Sequence, residues 1–225
     1  METVQYRIGI VDDDSSKVTQ MITMLRLCCN DDDGQPIKEK YANYELLPIE
    51  LELKPKIDDM LDSIIDNKLD GIVIDYKLSS QKVIAYSGVL LANRLGNRLY
   101  NFPIFVLTTY QDDLFDHELF DSYLVFDFNR YISEDSERIE LNSKLIEQIK
   151  KYRIEIKAWE AELTELLPRA GESATIDERI LELDTRLEKS LNGERPISLP
   201  VKQTFAAEKI DELISKIDTL IEGEQ

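Results

Sequence analysis

Short apolar runs alternate with helix-spaced apolar positions over the first part of the chain. Tyr6-Arg7-Ile8-Gly9-Ile10-Val11 is a near-continuous, β-branched run that stops abruptly at Asp12-Asp13-Asp14. Such a run predicts a buried strand of a parallel sheet. Ser15 and Ser16 then open a helix carrying Val18, Met21, Ile22, Met24 and Leu25 on one side. Ile49-Glu50-Leu51-Glu52-Leu53 alternates strictly and predicts a second, more exposed strand, followed by helical spacing at Ile57, Met60, Leu61, Ile64 and Ile65. Gly71-Ile72-Val73-Ile74 predicts a third strand, ending at Asp75, and Gly88 leads a helix through Val89 to Leu95. Ile104-Phe105-Val106-Leu107 predicts a fourth strand ending at Thr108-Thr109. A helical stretch near Leu114 to Phe120 and a fifth strand at Tyr123-Leu124-Val125-Phe126 follow. Strands alternating with helices predict an α/β fold with a doubly wound, five-stranded parallel sheet.

Beyond that point the pattern changes. Neither Gly nor Pro occurs between Pro103 and Pro168, so one helix can run from about Ser136 to Leu167. Leu145, Ile149, Tyr152, Ile156, Trp159, Leu163 and Leu166 form a heptad seam. Ile176, Ile180, Leu183 and Leu187 predict a second helix, and Ala206, Ile210, Leu213, Ile217 and Leu220 a third. The expected division is a sheet domain over residues 1–137 and an all-α, coiled-coil-like extension over 138–225. The seam is open to two uses: a core between the extension's own helices, or a contact with a protein partner or a second copy, with the root from Leu145 to Tyr152 left for that contact.

Charge narrows the function classes. The chain of 225 residues carries 27 basic against 45 acidic side chains, a net charge of −18. That balance argues against a nucleic-acid surface, which needs clustered Lys and Arg, and against anionic lipid. No apolar run approaches the roughly 20 residues of a membrane span, and the start METVQYRIGIVDDD lacks the features of a signal peptide. The two cysteines, Cys28 and Cys29, are neighbours and cannot staple distant segments. A cytoplasmic setting is the expectation. With one histidine, His117, and no Gly-rich phosphate loop, any chemistry must rest on carboxylates and a metal.

Those carboxylates fall where ligands bind. Open parallel α/β sheets hold ligands beyond the carboxyl ends of their strands. If the first and third strands lie side by side, Asp12, Asp13 and Asp75 converge, and their charge calls for a counter-ion. Oxygen donors with spare positions for water suit Mg²⁺. Thr108 brings a hydroxyl to the same rim, and the set makes a place to hold a phosphoryl group on Asp75.

In this order, Val11-Asp12-Asp13, Ile72-Val73-Ile74-Asp75-Tyr76-Lys77-Leu78, Ser87-Gly88-Val89-Leu90-Leu91 and Pro103-Ile104-Phe105-Val106-Leu107-Thr108 resemble the receiver domain of two-component response regulators, over about residues 5–150. The resemblance implies that Asp75 accepts a phosphoryl group from a histidine kinase or phosphotransfer protein. It implies Mg²⁺ held by Asp12, Asp13, Asp75 and the backbone carbonyl of Lys77. It implies a switch built on Thr108 and Phe126, and a shield against hydrolysis at Lys77 and Tyr110. It also implies a phosphoacceptor rather than an enzyme, here signalling through the helical extension. The chain departs from the family where a Lys is expected to end the fifth strand: the sequence reads Phe126-Asp127-Phe128-Asn129-Arg130-Tyr131, and Arg130 is the candidate phosphate partner. Two other readings stand beside this one. One is a receiver-like adaptor that works without phosphorylation. The other, on Asp12-Asp13-Asp14-Ser15-Ser16, is a Mg²⁺-dependent phosphohydrolase of the haloacid-dehalogenase type.

Overall fold

A computed structural model describes residues 3–31, 33–78, 84–109 and 125–191. Its strands are β1 (Val4–Val11), β2 (Tyr44–Glu50), β3 (Gly71–Asp75), β4 (Ile104–Thr108) and β5 (Val125–Asp127). Its helices are α1 (Ser15–Leu27), α2 (Ile57–Asp66), α3 (Gly88–Arg98), α4 (Phe128–Ser133), α5 (Asp135–Leu166) and α6 (Ala174–Leu191). Contacts gather the chain into two compact units, residues 1–155 and 156–225, so the first unit reaches beyond the boundary expected at residue 137.

In the first unit the sheet has the order β2-β1-β3-β4-β5, and every pairing is parallel. This is the flavodoxin-like order, whose ligand crevice lies between the ends of β1 and β3. β3 and β4 are buried along their whole length, as apolar runs in an inner parallel sheet must be. Successive side chains serve opposite faces. Val73 joins Ile8, Ile10, Met21, Leu25 and Phe105 in one cluster, while Ile74 turns toward α3.

The second strand is the main correction to the sequence reading. It spans Tyr44–Glu50 rather than Ile49–Leu53, pairing with β1 from Val4↔Tyr44 to Ile10↔Glu50. Pro48 sits inside it, which an edge strand tolerates because one side of its backbone needs no partner. The alternating Leu51 and Leu53 are buried just past its end, and Leu51 still donates its N–H to the Ile10 carbonyl.

The seam on α5 does not serve one partner. Leu145, Ile146 and Ile149 are fully buried in the same cluster as β1, α1 and Phe105, and Tyr152 meets Phe102 edge-on at 5.8 Å. The root from Leu145 to Tyr152, expected to be left for a partner, is therefore the sheet domain's own core. Heptad spacing specifies an apolar stripe but not whether a sheet or a helix covers it.

Buried polar groups on α5 tie it to α1. Arg138 donates to the Asn30 carbonyl at 2.8 Å and to Asp135 at 2.7 Å. Asn142 donates to the carbonyls of Met24 and Cys28, at 3.0 and 2.7 Å, and accepts from the Tyr131 hydroxyl. These side chains bond carbonyls in the last turn of α1 and in the turn that follows it.

The described part of the second unit, residues 156–191, is a helical hairpin formed by the end of α5 and α6. Ile156, Trp159, Leu183 and Leu187 are buried. Arg179 grips Glu162 with two hydrogen bonds, and the Arg186 guanidinium lies 5.7 Å from the centre of the Trp159 ring. This pairing order runs antiparallel. The expected helices at 114–120 and 206–220 lie outside the described residues, as does His117. Among the described residues no helix is long and apolar enough to cross a membrane.

Candidate functional site

Register places the site. Val11 pairs with Ile74, so Asp12 and Asp13 leave β1 beside Asp75 at the end of β3. Carboxylate oxygens of Asp12, Asp13 and Asp75 all lie within 4.8 Å of one another, and all three residues are buried, Asp75 to 2% exposure. Asp14 stands apart from this group. It caps α1, accepting from the Ser16 N–H at 2.8 Å, while its own N–H donates to Asp12 Oδ1 at 2.8 Å. The other oxygen of Asp12, Oδ2, is buried without a hydrogen-bond partner.

Asp75 is held from two sides. Its Oδ2 accepts from the backbone N–H of Lys77 at 3.1 Å, and its Oδ1 accepts from Lys17 Nζ at 3.2 Å. Lys17 comes from the first turns of α1, and its ammonium also lies 5.4 Å from the centre of the Phe128 ring. On the far side of β3, α3 begins against the Asp75 backbone. The N–H of Gly88 donates to the Tyr76 carbonyl, and Ser87 caps the helix by accepting from the Leu90 N–H.

Burial of charge dominates the electrostatics. Desolvation, then the nearby charge of Asp75, pushes the Asp12 carboxyl up to about 7. Desolvation also raises Asp75, against the opposing pull of Lys17. Burial disfavours the charge on Lys17, but Asp75, Asp12 and Asp13 outweigh it and move its pKa up. A divalent cation fits this donor set. Three oxygen donors of like charge converge, and one buried carboxylate oxygen has no hydrogen-bond partner.

The remaining candidate residues are distributed unevenly. Thr108 is fully buried at the end of β4, one residue past Leu107, the partner of Asp75 in the sheet. Phe126 is buried on β5, 6.1 Å from the Phe105 ring, with Lys144 of α5 over it at 4.9 Å. Lys77 is half-buried. Arg130, the candidate phosphate partner, is exposed on α4 and spends its guanidinium on Glu134, at 3.2 Å, and Glu137. Tyr110 lies outside the described residues. Sequence reasoning missed Lys17. The available signal was a lysine one helical turn past Asp13, in a chain whose fifth strand lacks the expected lysine.

The strand order and the position of the acidic cluster define a receiver-like α/β fold. No protein-family model matches the chain, and no curated protein matches it. Solved structures similar to it include the anti-anti-sigma factor PhyR from Bartonella quintana, at 12% identity and a TM-score of 0.42. That match covers 69% of this chain and 51% of the other. The response regulator PhyR from Brucella abortus is similar at 14% identity and a TM-score of 0.37, covering 64% and 53%. The apo receiver domain of nitrogen regulatory protein C is similar at 18% identity and a TM-score of 0.33, covering 60% and 94%. The chain thus matches about half the length of the two PhyR structures. The fold assignment rests on the chain's own strand order.

Proposed function

We propose that the chain is a response regulator of receiver type, accepting a phosphoryl group on Asp75 and signalling through protein contacts. The observation that carries this reading is the buried Asp12–Asp13–Asp75 cluster, with its unpartnered Asp12 Oδ2, at the crevice of a β2-β1-β3-β4-β5 sheet. Asp12, Asp13 and Asp75, with the carbonyl of Lys77, would hold Mg²⁺. When bound, that ion neutralises charge and orients phosphoryl oxygens.

Asp75 does the covalent chemistry. One of its carboxylate oxygens attacks phosphorus, and the new O–P bond forms as the bond to the leaving group breaks. From acetyl phosphate, the electron pair departs with acetate. From a phosphohistidine, the pair returns to the ring nitrogen, which takes up a proton from water. The N–H of Lys77 fixes the orientation of the attacking carboxylate. The Thr108 hydroxyl, buried at the end of β4, would turn to bond the phosphoryl oxygens, and Phe126 would follow it. The chain acts as a phosphoacceptor, its donor a histidine kinase or phosphotransfer protein, and not as an enzyme on a diffusible substrate.

The output would run through the helical part of the chain, with a protein partner or a second copy. Phosphorylation by acetyl phosphate with Mg²⁺, followed by light scattering and capture of a candidate kinase, tests both halves of the reading. Kinase binding with no phosphoryl group on Asp75 would favour an adaptor that works without phosphorylation.

A further inference from the structure

We infer that Lys17, on α1, is the cationic partner of the phosphoryl group, in place of a lysine at the end of the fifth strand. The inference rests on Asp75 as the phosphoacceptor and adds to it the residue that answers the phosphoryl charge.

Three observations carry it. Lys17 Nζ already touches the acceptor, 3.2 Å from Asp75 Oδ1, and it reaches there with a side chain only 23% exposed. The ammonium also lies 5.4 Å from the centre of the Phe128 ring. Phe128 is itself buried as the first residue of α4, directly after β5. The ammonium thus contacts both the acceptor and the first residue after the strand where the expected lysine is missing. Arg130, the other candidate, is turned outward and committed to Glu134 and Glu137.

Charge bookkeeping gives the arrangement a distinctive signature. With the three carboxylates ionised, Lys17 leaves the cluster at −2, the charge that one Mg²⁺ cancels. Converting the Asp75 carboxylate into an acyl phosphate dianion adds one further negative charge at the place Nζ already faces. Lys17 therefore repels the metal and attracts the phosphoryl group. Removing its charge should move the two affinities in opposite directions, which loss of a purely structural contact would not do.

The experiment uses the full chain and compares wild type, Lys17→Met and Lys17→Arg. Calorimetry measures Mg²⁺ binding, and fluorine NMR measures beryllofluoride loading at saturating Mg²⁺. Lys17→Met is expected to bind Mg²⁺ more tightly than wild type and to load beryllofluoride roughly 10–100-fold more weakly, the usual effect of removing a charge-assisted hydrogen bond. Lys17→Arg, which keeps the charge, is expected to recover part of the loading. Unchanged loading in a Lys17→Met protein that still binds Mg²⁺ would overturn the inference. Parallel weakening of both affinities would overturn it too, since that pattern marks a structural role. Wild-type protein that binds Mg²⁺ but never loads would sink the phosphoacceptor reading itself, and this inference with it. Asp75→Asn is the control that separates loading on Asp75 from loading elsewhere.

Discussion

A Cβ placed on Gly88 would stand 1.8 Å from the backbone carbonyl oxygen of Asp75. No side chain fits in that gap, so the start of α3 is pressed against the strand end that carries the acceptor. Gly88→Ala must push α3 away or distort the backbone of Asp75. The expected cost is at least about 3 kcal/mol, well above the ~1 kcal/mol of an ordinary substitution. Ser87→Ala, which removes only the cap, should cost about 1 kcal/mol. Urea unfolding of the two variants checks the difference, and equal midpoints would count against the close approach.

Metal binding should be visible as stability. Millimolar Mg²⁺ is expected to raise the melting temperature of wild type by mass action, and Asp13→Asn to lose most of that rise. Thermal melts across a Mg²⁺ titration decide the matter. A flat response in both proteins would remove the metal from the site.

The pH dependence has a definite sign. The folded Asp12 carboxyl titrates at about 7, above its unfolded range, because burial and then the charge of Asp75 oppose its ionisation. Its contribution to metal-free stability is complete below the ordinary carboxylate range and is lost as the pH rises through about 7. A cation must displace that proton to bind. Mg²⁺ should therefore raise the melting temperature more at about pH 8 than at about pH 6. The same Mg²⁺ response at both pH values would show that Asp12 is ionised throughout.

The two halves of the α5 seam should respond differently to charge. Ile149 is fully buried with β1 and α1, so Ile149→Asp places an unpaired carboxylate in the sheet domain's core. A loss of more than about 3 kcal/mol is expected, and with it Mg²⁺ binding. Ile156→Asp falls in the second unit and should leave Mg²⁺ binding intact. Circular dichroism with a Mg²⁺ titration tests the pair, and survival of Mg²⁺ binding in Ile149→Asp would contradict the packing of α5.

Much of this fold can be read from the residues because inner parallel strands announce themselves. Gly71–Asp75 and Ile104–Thr108 are buried on both faces, so each is a continuous apolar run, and each stops at a residue of the site. The edge strand is harder to read. β2 needs one buried face and tolerates Pro48, so the clean alternation just past it carries the stronger strand signal. The acidic cluster was legible because its members end adjacent strands. Lys17 was not, because its approach to Asp75 depends on how α1 packs over the sheet, which no local pattern encodes. Arg138 and Asn142 were hidden for a similar reason: their partners are carbonyls more than a hundred residues away.

Whether Asp75 carries the phosphoryl group is decided by intact-protein mass spectrometry after incubation with acetyl phosphate and Mg²⁺. Wild type should gain the mass of one phosphoryl group, dependent on Mg²⁺ and mapping to the peptide that contains Asp75. Asp75→Asn should gain none. No adduct on a wild-type protein that binds Mg²⁺ would contradict Asp75 as the acceptor, as would an adduct that persists in Asp75→Asn.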